Sequence, residues 1–209
     1  MVLPCYYNAP VSYFSLLLQH GNKTVIEQFD HYSKQTYRNR CRILGANGVI
    51  NLVIPIVKVH GTRLLMKDVR IDYDTKWQHN HWRSISSAYS SAPFFEFIND
   101  SFIPFYLKHY KFLADFNFEL LRASLSLFGR QMNLDRTETY HSPEPGTDIS
   151  EVIHPKKAFR HHRYAYHPIP YHQVFSDRHG FVSELSILDL LFNEGSNAGK
   201  VLSDSILVK

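Results

Sequence analysis

Cysteine is nearly absent, with Cys5 and Cys41 the only two in 209 residues. Two thiols without C-x-x-C spacing offer neither a disulfide framework nor a zinc or dithiol redox motif, and reduced thiols fit a cytoplasmic protein. No apolar run approaches the roughly 20 residues needed to span a bilayer. The opening Met1-Val2-Leu3-Pro4-Cys5-Tyr6 lacks the basic stretch and long apolar core of a secretory leader, so none is expected. Also missing are a P-loop, a G-x-G-x-x-G fingerprint, a G-x-S-x-G elbow and an H-E-x-x-H pair. No metal site or particular cofactor is implied.

What is present describes an ordinary folded chain. Apolar residues make up 44% and charged residues 20%, a balance that predicts a buried core rather than disorder. The length suits one domain over 1–209. Basic side chains exceed acidic ones by 23 to 19, which favours anionic partners. These cations are interspersed with acids rather than massed on a tail or face, and that disfavours nucleic acid. Aromatics reach 14%, enough to supply a cleft or interface as well as a core.

Along the chain the pattern predicts an α+β fold. Val2–Tyr7 reads as a strand, Val11–His20 as a helix opened by Asn8-Ala9-Pro10 and stopped at Gly21-Asn22, and Lys23–Phe29 as a second strand. A helix between two strands allows a parallel β-α-β unit, with a ligand expected at the C-terminal strand edge. Asn47-Gly48 between β-prone runs signals a hairpin over Asn39–Val57, forming a small mixed sheet with that unit. Asp68–Tyr73 alternates like a further strand. Helices should dominate from Trp77 to Phe128, with Asp115 as a cap and Gly129 as a stop. The chain thus divides into a sheet-rich 1–74, a helical 75–129, an irregular 130–170 interrupted by prolines, and a helical 171–209. Ser186-Ile187-Leu188-Asp189 resembles a capping box for the last part, whose helix should end at Glu194-Gly195. The irregular stretch reads as a lid or arm over a cleft.

Several of these segments resemble the WbqC-like protein family: Lys34, Asn39-Arg40, Arg42-Ile43, Asn47-Gly48, Leu52-Val53-Ile54-Pro55, Asp68-Val69-Arg70-Ile71, Trp77, His81-Trp82, Ala88-Tyr89 and Pro93-Phe94-Phe95. Tyr171-His172-Gln173-Val174-Phe175 and Leu185 to Asn193 resemble its closing motif. Two departures stand out, since more typical members open with His-Gln-Pro where this chain has Leu3-Pro4-Cys5-Tyr6, and carry acidic residues where it reads Glu27-Gln28. The resemblance implies a part in making surface polysaccharide, as a transferase attaching an amino acid or acyl group to a sugar. The alternative is a non-catalytic binding or scaffold protein holding an anionic glycan intermediate or a partner enzyme.

The residues themselves support a binding site. Lys34, Arg38, Arg40 and Arg42 lie within nine positions among Tyr32 and Tyr37, and strand alternation points Arg40 and Arg42 the same way, with Cys41 and Ile43 opposite. Arginine forks suit phosphate or carboxylate, so a nucleotide sugar or an activated acyl donor is the expected partner. An ordinary solvated strand face with surface ion pairs is the competing reading. Lys34, Tyr37, Asn39, Arg40 and Arg42 are the substrate-binding candidates, with His81 the acid–base candidate because imidazole titrates near neutrality. Lys34, Asn39, Arg40 and His81 are expected to line one pocket. Cys5 could act as a nucleophile at a strand end, although a buried hydrophobic role fits it better. His141, His154, His161, His162, His167, His172 and His179 cluster late in the chain, but their spacing argues against a metal site.

Overall fold

The computed structural model describes residues 1–58, 63–129, 132–143, 148–159 and 164–208. Strand β1 (Val2–Pro4) leads through α1 (Val11–His20) into β2 (Val25–Glu27), and the two strands pair in parallel with Leu3 opposite Ile26. Tyr13, Phe14, Leu17 and Leu18 are all buried on α1. Gly21 closes it at φ +55°, a left-handed conformation that glycine adopts without steric cost. Both strands are shorter than the sequence pattern suggests.

The hairpin consists of β3 (Arg40–Gly45) and β4 (Gly48–Val53), antiparallel, with Cys41 opposite Leu52 and Arg42 opposite Asn51. It is a two-stranded sheet of its own, distinct from the one containing β1 and β2. The turn residues are Ala46-Asn47, one position earlier than expected, and Gly48 takes φ +109° as the second arm begins. β4 stops at Val53, two residues before Pro55, whose missing N–H cannot continue a ladder. Cys41 and Ile43 are fully buried while Arg40 and Arg42 remain partly exposed, as alternation requires.

Asp68–Tyr73 is not a strand, despite its alternation. Met66–Asp68 forms a 3-10 turn, and only isolated bridges follow, Ile56 to Ile71 and Arg70 to Phe112. Backbone hydrogen bonds join this stretch to Pro55 and Val57 on one side and to Lys111 and Leu113 on the other, one bridge on each side rather than a ladder. Helix α2 (Trp77–Tyr89) follows, then the short α3 (Phe95–Ile98) and α4 (Ile103–Leu107), and the longer α5 (Leu113–Ser126). Asp115 does not cap α5. It lies inside the first turn and pairs instead with Arg136 at 2.5 Å, while Phe112 occupies the cap position.

The stretch 130–170 contributes more than an irregular arm. Strand β5 (Asp135–Arg136) adds a third parallel strand beside β2, α6 (Ile149–Val152) packs on β1, and β6 (Tyr164–Tyr166) pairs antiparallel with the C-terminal β7 (Ile206–Val208). Arg130, Pro145, Gly146, His161 and His162 lie outside the described residues, as do 59–62 of the loop before Met66. The remaining helices are α7 (Ser176–His179), α8 (Ile187–Glu194) and α9 (Ala198–Asp204). Ser186 caps α8 by accepting from the Leu188 N–H at 3.2 Å, and the helix ends at Gly195. Asp189 does not reach back as a capping-box acid. Buried residues from Leu3 to Ile206 form one cluster, and α8 is buried from Ile187 to Asn193.

Candidate functional site

The outward face of the hairpin is the floor of a long cleft. Its first section, of about 640 Å³, is lined by Tyr32, Lys34, Asn39, Arg40, the stretch 53–58, Arg63, Leu64 and Asp72. A middle section of about 420 Å³ lies between Arg40, Arg42, Val49 and Asn51 on one side and Pro155 and Lys156 on the other. The third, of about 550 Å³, joins Tyr37 and Arg42 to His154, Lys157, Phe159, Tyr166, Phe181 and Glu184. Arg40 is common to the first two sections and Arg42 to the last two, so the arginine ladder of β3 runs through all three. Residues 154–159 form the opposite wall, and Lys156 hydrogen-bonds Gln35 across the cleft.

Asn39 and Arg40 are adjacent yet line the same section, because β3 begins only at Arg40 and Asn39 is free of strand alternation. Asn39 donates from Nδ2 to the Ile54 carbonyl at 2.8 Å. Its Oδ1 and the Nε of Arg40 are buried, with no partner among the described residues. A buried polar atom without a partner costs about 1–3 kcal/mol, so each of these two atoms carries an unmet hydrogen-bonding demand. Lys34 is exposed at the rim. Arg38 belongs to the fold instead, with its side chain only 2% exposed and paired with Asp30.

His81 does not share this pocket. The ring is buried, where Tyr7 OH lies 3.0 Å from Nδ1 and the Val53 carbonyl accepts a hydrogen bond from the ring. Tyr7 OH in turn meets Tyr106 OH at 3.0 Å, and Tyr106 OH accepts from Asn8 Nδ2 at 3.1 Å. Trp77 packs edge-on to the imidazole at 5.2 Å between centroids. Burial lowers the His81 pKa to about 4, opposed by its bond to Val53, so the ring is neutral at physiological pH. One turn of α2 separates it from Trp77, and that turn faces the core.

Tyr37 lies further along the cleft from Lys34, beside Arg42. Its phenol is pushed to about 12 by burial and the charge of Glu184, against the hydrogen-bonded Arg42. Cys5 is buried and its thiol is raised to about 12 by desolvation, which removes the thiolate a nucleophile needs. Among the described residues no three His, Cys, Asp or Glu side chains converge as a metal site, and no helix is long and apolar enough to cross a membrane.

Two residues carry site chemistry that sequence reasoning missed. Glu184 lines the third section with its backbone at φ +59°. Asp189 is fully buried, accepting from Tyr171 OH at 2.7 Å and Gln173 Nε2 at 2.8 Å. Gln173 also holds both the N–H and the carbonyl of Val182, so the Tyr171-to-Gln173 stretch docks the cleft-lining 181–184 loop onto α8.

An α+β protein with a cation-lined cleft over a hairpin is the class that fold and site define. The family model of the WbqC-like protein family matches residues 5–167, and the chain belongs to that family. It is also similar to the Uncharacterized protein Rv1507c of Mycobacterium tuberculosis (strain ATCC 25618 / H37Rv), 29% identical over 192 residues that cover 80% of this chain and 81% of that protein. No solved structure matches.

Proposed function

We propose that the chain binds an anionic donor, a nucleotide sugar or an activated acyl group, in the cleft above Arg40 and Arg42, and acts as a transferase in surface-polysaccharide assembly. The observation that carries this reading is Arg40 in a section whose other charged walls are Lys34, Lys58, Arg63 and, among the described residues, a single acid, Asp72. Phosphate would accept from the guanidinium, while a sugar hydroxyl or amide N–H would donate to Asn39. Neutral His81, outside this pocket, would fix the Val53 carbonyl rather than touch the ligand.

That seclusion of His81 favours a second reading at this end of the cleft, a binding protein that presents an anionic glycan intermediate to another enzyme. Calorimetry with UDP-glucose tests the shared core of both. Arg40→Ala should weaken binding by roughly 1.5–3 kcal/mol, the value of a charged hydrogen bond, without lowering the melting temperature. Unchanged affinity with a lower melting temperature would make Arg40 a packing residue.

A further inference from the structure

Opposite charges face each other across the third section of the cleft without meeting. Arg42 and Glu184 both line it and feel each other's field, yet among the described residues they form no ion pair. Each is restrained from its own side. Arg42 is hydrogen-bonded by the Tyr37 phenol, and Glu184 Oε2 accepts from Ser12 Oγ at 2.5 Å. Oε1 of Glu184 is buried, and beside Ser12 the Tyr166 phenol also bonds the carboxylate. A carboxylate so placed is costly, and burial accordingly raises its pKa against the help of Ser12, Tyr166 and Arg42. The backbone adds a second cost, because φ +59° is a left-handed conformation that disfavours side chains such as Glu. Glycine would relieve the backbone and glutamine the charge, so neither cost serves stability.

Between these charges the walls are aromatic. Tyr37, Phe159, Tyr166 and Phe181 line the section, and aromatic faces suit the apolar face of a pyranose ring. We infer that this section takes an amino sugar phosphate, its phosphate on Arg42 and its ammonium on the Glu184 carboxylate. The inference rests on the anion-binding reading of the cleft and adds the class of molecule recognised. The ammonium would give Glu184 a counter-charge in direct contact, which Arg42 supplies only from across the section, and the phosphate would complete the contacts of Arg42.

Calorimetric titration with glucosamine 1-phosphate, glucose 1-phosphate and N-acetylglucosamine 1-phosphate tests it, since only the first carries the ammonium. The expected result is at least about tenfold tighter binding of glucosamine 1-phosphate, the worth of one charged hydrogen bond. Glu184→Gln should abolish that preference, leave glucose 1-phosphate binding as it was, and raise the melting temperature. Should that variant fail to fold, Arg42→Ala carries the test, weakening all three probes while the preference for the amine persists. Equal binding of the three by the native protein, or a preference surviving in Glu184→Gln, would overturn the inference and leave phosphate binding intact. Failure of all three to bind would overturn the anion-binding reading with it.

Discussion

Replacing Phe192 by Ala should lower the melting temperature by about 10 °C. The ring is fully buried and lies 5.0 Å from Phe95, 5.4 Å from Tyr89 and 5.9 Å from Phe102 between centroids. It therefore joins α8 to the helices α2 and α3. Its own carbonyl accepts from the Phe94 N–H at 2.9 Å, which fixes the approach of α3. Removing a buried phenyl leaves a cavity that these packed helices cannot close, at a cost of roughly 3–5 kcal/mol. For a chain of this length each kcal/mol shifts the midpoint by about 2–4 °C. Scanning calorimetry gives the number directly. A shift of less than about 3 °C would mean that the aromatic cluster relaxes into the space.

The second large effect is hidden in the native protein and should emerge in a variant. His81 has its folded pKa lowered to about 4 from an ordinary 6.5, because burial disfavours the charged ring. Between those values the unfolded chain binds a proton that the native state refuses, so stability rises with pH across that window and is complete above it. Asp189 is shifted the other way, up to about 6 from 3.8, by a desolvation that Tyr171, Tyr89 and Gln173 only partly offset. Here the native state holds a proton that the unfolded chain releases, so stability falls as pH rises from 3.8 to 6. Each contributes about 3 kcal/mol on the scale of 1.36 kcal/mol per pKa unit. The two largely cancel between pH 4 and 6.

His81→Gln removes one side of that balance. Urea unfolding at a series of pH values should show the variant losing about 3 kcal/mol relative to the native protein between pH 4 and pH 6.5. Asp189→Asn should produce the opposite slope. Parallel stability curves for native protein and His81→Gln would mean that the ring is not held neutral by its surroundings.

The hairpin and the helices α1 and α2 were legible because each carries a periodic apolar pattern with a local stop, Gly21, Asn47-Gly48 or the residues before Pro93. Strands β5 and β6 were not, since two or three residues show no alternation, and their pairing with β2 and β7 is decided by tertiary packing. Asp68–Tyr73 shows the converse, alternation without a neighbouring strand to use it. The arginine ladder could be read from alternation alone. His81 could not be placed, because its environment is set by Tyr7 and Val53, far away in sequence. Glu184 carries no local signal, since its importance lies in a backbone angle and in partners on α1, β3 and β6.

The central claim is that Arg40 offers its guanidinium to an anionic ligand, and the Nε–H resonance of Arg40 in a proton–nitrogen correlation spectrum reports on that group itself. With the peak assigned by its loss in Arg40→Ala, titration with UDP-glucose should move it progressively to saturation as the guanidinium gains an acceptor. A peak that stays in place while UDP-glucose binds elsewhere, or a failure of UDP-glucose to bind at any concentration, would contradict that role for Arg40.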